Sequence, residues 1–370
     1  MKPIYFLLLV SIFFSCSNEK STDQNNSKIQ PAKSIPAEEF KPIELEVYID
    51  DFKMRSGPGV EHEEVARLGK GDWVYYEGEK SMHSTEIKLR GVKLNAPWLK
   101  VKREDGLKGW IYASGVKSAS PEKRDKTKII DEIQMQSFFD KKIIDRINTY
   151  QQQWQLSNSS TDFAKTYLLG EKTQNEINEK LGDNIEIDDP SKLIDMSWLE
   201  NSFQGFQNSL VAEGTMFNIF KDFRIMYAKV KETQGTEDDD FITFQFHVNE
   251  LDSVEYYYKS WFMQTWDYGG HSLLGQGKHF DLLNEANDLL AKSKLFEKPI
   301  LQTKIEILND IAAEHITYWE SKGKILEEMK KIISADFIFL TAEDKILLKT
   351  RYEQFKNPKA NKIEVNNRAF

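Results

Sequence analysis

Cysteine is nearly absent from this chain: its 370 residues contain one, Cys16. A single thiol closes no internal disulfide and builds no thiolate zinc knuckle or iron–sulfur site. Positive charge is the minority sign, with 50 Lys and Arg against 59 Asp and Glu and a formal net charge of −9. A nucleic-acid reader needs a basic stripe for phosphates, so that class is set aside. Long apolar runs are missing too. The longest, Ile4 to Phe14 with Ser11 inside it, rises only about 16 Å as a helix, roughly half a hydrocarbon core. Catalytic signatures are equally scarce: no Gly-x-Ser-x-Gly elbow, no His-Glu-x-x-His helix and no phosphate-loop pattern occurs. What is present is a hydrophobic content of 40% and an aromatic content of 12%, enough for a packed core and too much for wholesale disorder. The length suits two domains rather than one.

The N-terminus accounts for the thiol. Lys2, the apolar run and then Ser15-Cys16 have the layout of a secretory signal. The segment Phe13-Phe14-Ser15-Cys16 resembles a bacterial lipoprotein signal. That resemblance implies a signal peptide over 1–15 and acylation of Cys16 as the first mature residue. It also implies attachment to a membrane through lipid, with several acyl chains holding better than one. The sequence Ser17-Asn18-Glu19 has no acidic residue directly after the cysteine, which by the same resemblance favours the outer membrane. Residues 16–43 are rich in Ser, Asn, Gln, Lys and Pro and read as a disordered tether reaching roughly 30 Å.

Between 44 and 118 the pattern is that of short strands. Leu45, Val47 and Ile49 alternate with polar residues, and glycine-rich turns at Ser56–Gly59 and Gly69–Asp72 separate aromatic-rich segments. The ordered set Met54-Arg55-Ser56-Gly57-Pro58-Gly59, Leu68-x-Lys70-Gly71-Asp72, Trp98-x-Lys100-Val101 and Gly109-Trp110-Ile111 resembles a bacterial SH3-like domain. The resemblance implies a small all-β barrel that binds peptidoglycan or a peptide. Trp98, Trp110 and Tyr112 are the candidate ligand groove, as aromatics line other peptide sites. Trp73 and Val74 are expected in the core. The stretch Gly78–Pro97 is longer than the family's usual hairpin and is expected to extend it or to change which surface is available. Such modules often precede papain-like peptidases, but those need a thiol nucleophile, and none follows Cys16.

Over 119–370 the apolar period becomes helical, and the expectation is a large all-α multi-helix bundle with no strand after Lys117. One long helix is expected from Thr127 to Trp154, another over 162–181 and a further one over 215–231. Asp238-Asp239-Asp240 reads as a helix start with a solvated loop. Pro299 lies near the start of another helix, and Thr341 with Asp344 reads as a capping box.

The segment Thr265–His279 is the most unusual, with four glycines, two histidines and an aspartate between strong helices. Asp267, His271 and His279 are weak candidates for a zinc or iron site or for catalysis. The amides of Gly275-x-Gly277, with Lys278 and the following helix, are a candidate anion cradle. The plain alternative is an inter-helix loop with glycine-enabled turns and a capping His279. His247 and Glu250 stand three apart on one helix, the reverse of the bundle Glu-x-x-His motif. Glu213 is a lone carboxylate at a helix entrance, a weak candidate for glycosidase chemistry. The leading expectation is a non-enzymatic envelope lipoprotein needing no cofactor, with an unknown protein partner for the helical domain and no nucleic acid. The alternative is a peptidoglycan- or glycan-acting hydrolase with its site in the helical domain.

Overall fold

Among the first nine strands the first, fifth and sixth alternate along their length, and the alternation sets which face turns inward. In the computed structural model, which describes residues 41–118, 124–186, 196–211, 216–249, 258–265, 269–314 and 316–365, the nine are β1 (Ile43–Val47), β2 (Phe52–Arg55), β3 (Glu64–Leu68), β4 (Trp73–Lys80), β5 (Thr85–Leu89), β6 (Val92–Ala96), β7 (Trp98–Lys102), β8 (Lys108–Tyr112) and β9 (Val116–Ser118). Seven of them form an antiparallel sheet in the order β3-β2-β8-β7-β4-β1-β9. Leu45, Val47, Met54, Val74, Leu99, Val101 and Ile111 fill its inner face. The sheet ends on β3 and β9, which do not pair, so it does not close into a barrel.

β5 and β6 form a separate two-stranded hairpin. Its two-residue turn is Arg90-Gly91, with φ of 47° and 84°. Positive φ at both central positions is the primed turn that matches strand twist. The Gly91 carbonyl accepts from Glu186 N–H at 2.9 Å, and Lys88 pairs with the Glu186 carboxylate. A Cβ on Gly91 would overlap the Glu186 carbonyl oxygen, so glycine is required there.

Ten helices follow among the described residues, beginning with α1 (Arg124–Phe138), α2 (Lys141–Leu156), α3 (Ser160–Asn184) and α4 (Ser197–Ser202). The long helix expected over 127–154 is two. Asp140 breaks it by accepting a hydrogen bond from Ile143 N–H at 3.0 Å, an N-cap that starts α2 afresh.

The expectation of an all-α region is corrected by six more strands. β10 (Phe206–Val211) and β11 (Met216–Lys221) form an antiparallel hairpin where a helix over 215–231 was expected. The three-residue spacing of Phe217, Phe220 and Phe223 imitates a helix, but Phe217 and Ile219 are the buried pair, a period of two. Asn178 and Gln174 on α3 hydrogen-bond the Ile219 backbone at 2.8 and 2.9 Å, satisfying a strand edge otherwise left bare. Asp222 then caps α5 (Phe223–Val230), and α6 (Glu237–Val248) follows.

Next come β12 (Phe262–Gln264), β13 (Gly270–Ser272), α7 (Lys278–Lys292), α8 (Glu297–Ala312), β14 (Thr317–Tyr318), α9 (Lys322–Ser334), α10 (Ala342–Lys356) and β15 (Glu364–Val365). β12 to β15 make a small mixed sheet in chain order, assembled from segments about a hundred residues apart at its extremes. The Thr341–Asp344 capping box is present at α10, and Pro299 lies in the first turn of α8. One hydrophobic cluster runs from the sheet through the helices, rich in aromatic pairs such as Phe203 on Phe206 (4.0 Å, 12°) and Phe241 on Phe296 (4.1 Å, 8°).

Candidate functional site

Two of the three expected groove aromatics are buried. Trp98 and Tyr112 are each 3% exposed and meet edge to face at 5.6 Å. The cause is the β5–β6 hairpin, which is the insertion 78–97 folded over them. Trp98 Nε1–H donates to Thr85 Oγ1 at 2.9 Å. The Tyr112 hydroxyl accepts from Ala96 N–H at 3.0 Å and lies 2.8 Å from the Thr85 carbonyl. Burial pushes that hydroxyl up to about 12. Only Trp110 keeps part of its ring on the outer face, with Lys100 Nζ 5.8 Å from the ring centroid. Trp73, expected in the core, is 50% exposed, whereas Val74 is fully buried.

The glycine–histidine loop is engaged by the protein itself. His279 is fully buried in the first turn of α7, and its Nε2 lies 2.8 Å from Asp310 Oδ2. Ser272 Oγ donates to the same oxygen at 2.6 Å. The carboxylate therefore stands between serine and histidine. In a Ser-His-Asp triad the histidine must stand there, so these three side chains are not arranged as one. His271 lies on β13, with its ring 5.4 Å from that of Trp319 and its buried Nδ1 without a partner among the described residues. Asp267, Glu213, Glu250 and Cys16 lie outside the described residues. Among the described residues no three His, Cys, Asp or Glu side chains converge as a metal-holding group.

The expected anion cradle exists, and its anion is internal. The N–H groups of Gly275, Gly277 and Phe280 donate to the Glu328 carboxylate at 2.5, 3.0 and 3.0 Å. Glu328 is 3% exposed and comes from α9, where Ile325 and Met329 share its buried face. Gly275 has φ of 105°, and a Cβ there would sit 2.8 Å from that of Glu320. A negative charge at the start of α7 suits the helix dipole, so the loop is closed rather than vacant. Sequence reading missed Glu328 because a lone glutamate on an amphipathic helix carries no local signal.

Other charged candidates are likewise partnered. His247 Nδ1 is 2.8 Å from Glu285 on the surface. Asp238, expected in a solvated start, is fully buried and accepts from Ser160 and Thr233 hydroxyls at 2.6 Å each. Lys221 pairs with Glu171 at 2.8 Å and Lys259 with Glu306 at 3.4 Å around Tyr167. Burial holds Lys259 below the ordinary lysine value, and burial pushes the Tyr167 hydroxyl up to about 12. Each of these partly buried lysines has its own carboxylate within reach.

A cleft of about 740 Å³ opens between the β1–β9 end of the sheet and helices α1, α2 and α4. Its size falls in the range of ligand sites. Tyr48, Val116, Ile130, Met135 and Trp198 are its buried apolar lining, and amides, carboxylates, serines and two lysines line the rest. Gln134 on α1 braces the wall, its Nε2 donating to the Ala113 and Val116 carbonyls at 2.8 Å each. Gln151 on α2 does the same to the Ser202 carbonyl at 2.5 Å. None of these residues stood out in the sequence, although Asn148, Gln151 and Gln155 follow the i, i+3, i+7 spacing of one helix face. No family model matches this chain, and neither the curated proteins nor the solved structures contain a match.

Proposed function

We propose that this chain is a lipid-anchored envelope protein that binds rather than catalyses. Cys16 carries the acyl chains, residues 16–42, up to the start of β1, are the tether, and the anchor lies in the outer membrane. Residues 44–118 act as a bacterial SH3-like module, with an inserted hairpin, that contacts peptidoglycan or a peptide. The helical region docks an unidentified protein partner.

The observation that carries this reading is the agreement between the motif residues and the needs of the sheet. Ser56–Gly59 follow β2, Gly69–Asp72 turn the chain into β4, and Gly109 on β8 packs against Met54, where a side chain would strike the Met54 Cγ at 2.7 Å. Support for binding over hydrolysis comes from the engagement of His279, Ser272 and the Gly275–Gly277 amides in internal bonds. Among the described residues no helix is long and apolar enough to cross a membrane.

The test uses the full chain in detergent, incubated with purified sacculi and sedimented. Retention at low salt is expected, as is incorporation of labelled palmitate that Cys16→Ala abolishes. A protein that stays in the supernatant at low salt overturns the cell-wall contact, and palmitate that persists in Cys16→Ala overturns the anchor.

A further inference from the structure

We propose that the cleft between the β1–β9 edge and helices α1, α2 and α4 is an oligosaccharide site. This rests on the binding reading above and names a ligand class and a place for it.

The lining chemistry selects the class. Six of the side chains that line the cleft are amides: Gln134, Asn148, Gln151, Gln155, Asn201 and Gln204. An amide offers a donor pair and an acceptor at fixed spacing, which matches adjacent hydroxyls and acetamido groups on a sugar ring. Asn148 and Gln155 stand exposed on α2, on the face that Gln151 shares, so their polar ends are available to a ligand. Tyr48 and Trp198, 8% and 6% exposed, add the little ring surface they leave uncovered to the same lining.

The same walls reject the two rival ligand classes. Four carboxylates, Glu46, Asp131, Glu132 and Glu200, face two lysines, Lys117 and Lys128, so a phosphate or another anion meets net repulsion. A peptide adding as a strand needs the free edge of β9. Gln134 already occupies the Val116 carbonyl on that edge, so one of the strand hydrogen bonds that would hold a peptide is taken.

The experiment is calorimetric titration of the full chain in detergent with N-acetylglucosamine tetramer, and separately with a free peptidoglycan stem peptide. Saturable tetramer binding is expected. The pair Asn148→Ala with Gln155→Ala should weaken it by at least about tenfold, the loss of one or two ligand hydrogen bonds. Both positions are exposed on α2, so the fold should persist, and unchanged circular dichroism checks this. Lys349→Ala, exposed on α10 and outside the cleft lining, should bind the tetramer as the parent does. Three results overturn the assignment: no tetramer binding, binding unaffected by the α2 pair, or stem-peptide binding that the α2 pair removes. If sacculi still retain the protein while the tetramer fails, the cleft assignment alone falls and the envelope reading stands.

Discussion

Glu328 shows what one side chain does when three backbone amides and a helix start converge on it. Charge-assisted hydrogen bonds of this kind contribute about 1.5–3 kcal/mol each. Glu328→Gln keeps the shape but removes the charge, and is expected to lower stability by about 2 kcal/mol, with Glu328→Ala lower still. Urea denaturation of both variants measures this. Asp344 is a second case. Burial pushes its carboxyl up, but the Lys304 ammonium at 2.7 Å and the Thr341 backbone outweigh burial and hold it below the ordinary value. A depressed carboxyl stabilises the fold above its unfolded value and loses that contribution as pH falls through the folded one. Asp344→Asn should therefore cost about 2–3 kcal/mol at neutral pH. The two proteins should draw together in urea midpoint as the pH falls from the ordinary aspartate value through the lowered folded one, which paired titrations at neutral and acid pH will show. Of these residues, Thr341 and Asp344 were legible from their spacing. Glu328 was not, because its partners lie about fifty residues away along the chain.

At the scale of elements, the inserted hairpin decides how the sheet is used. β5 and β6 cover Trp98 and Tyr112, and Gly91 ties the hairpin tip to the end of α3. Gly91→Val forces a β-branched residue into positive φ and against the Glu186 carbonyl. The tip should detach from α3, so amide hydrogen exchange over Thr85–Ala96 should accelerate while that of α10 stays as in the parent. Equal protection in both segments would refute the hairpin's role as a strap. The groove expectation failed here for a physical reason. Aromatic spacing along β7 and β8 shows which residues share a face, but not whether an insertion will fold over that face. The β10–β11 hairpin failed in the opposite direction, since its phenylalanines imitate a helical period and its edge is satisfied by Asn178 and Gln174 from α3.

At the scale of the whole molecule, the described residues from 41 to 365 belong to one compact unit. Sheet and helices share buried surface: Val92, Leu94 and Ala96 of β6 pack on α1, and Gln134 of α1 satisfies carbonyls at the end of the sheet. Calorimetry of the full chain should accordingly show one cooperative transition. Two resolved transitions would mean that the seam between sheet and helices contributes little. The cleft lies on this seam, which is why no run of sequence announced it. Its lining comes from β1, β9, α1, α2, α4 and their flanks, brought together only by the fold.

What the amino-acid order determined by itself is local. It set the strand alternation over 43–118, the helix over 160–184, the acidic start of α6 and the capping box of α10. Each depends on side chains within a few residues of one another, where period and capping operate. The tertiary structure alone decided which aromatics the hairpin covers, which carboxylate fills the glycine loop and where β10 and β11 form. It also decided where the amides of α1, α2 and α4 meet. Those outcomes depend on partners distant in the chain, whose burial and hydrogen bonding exist only once the elements have packed.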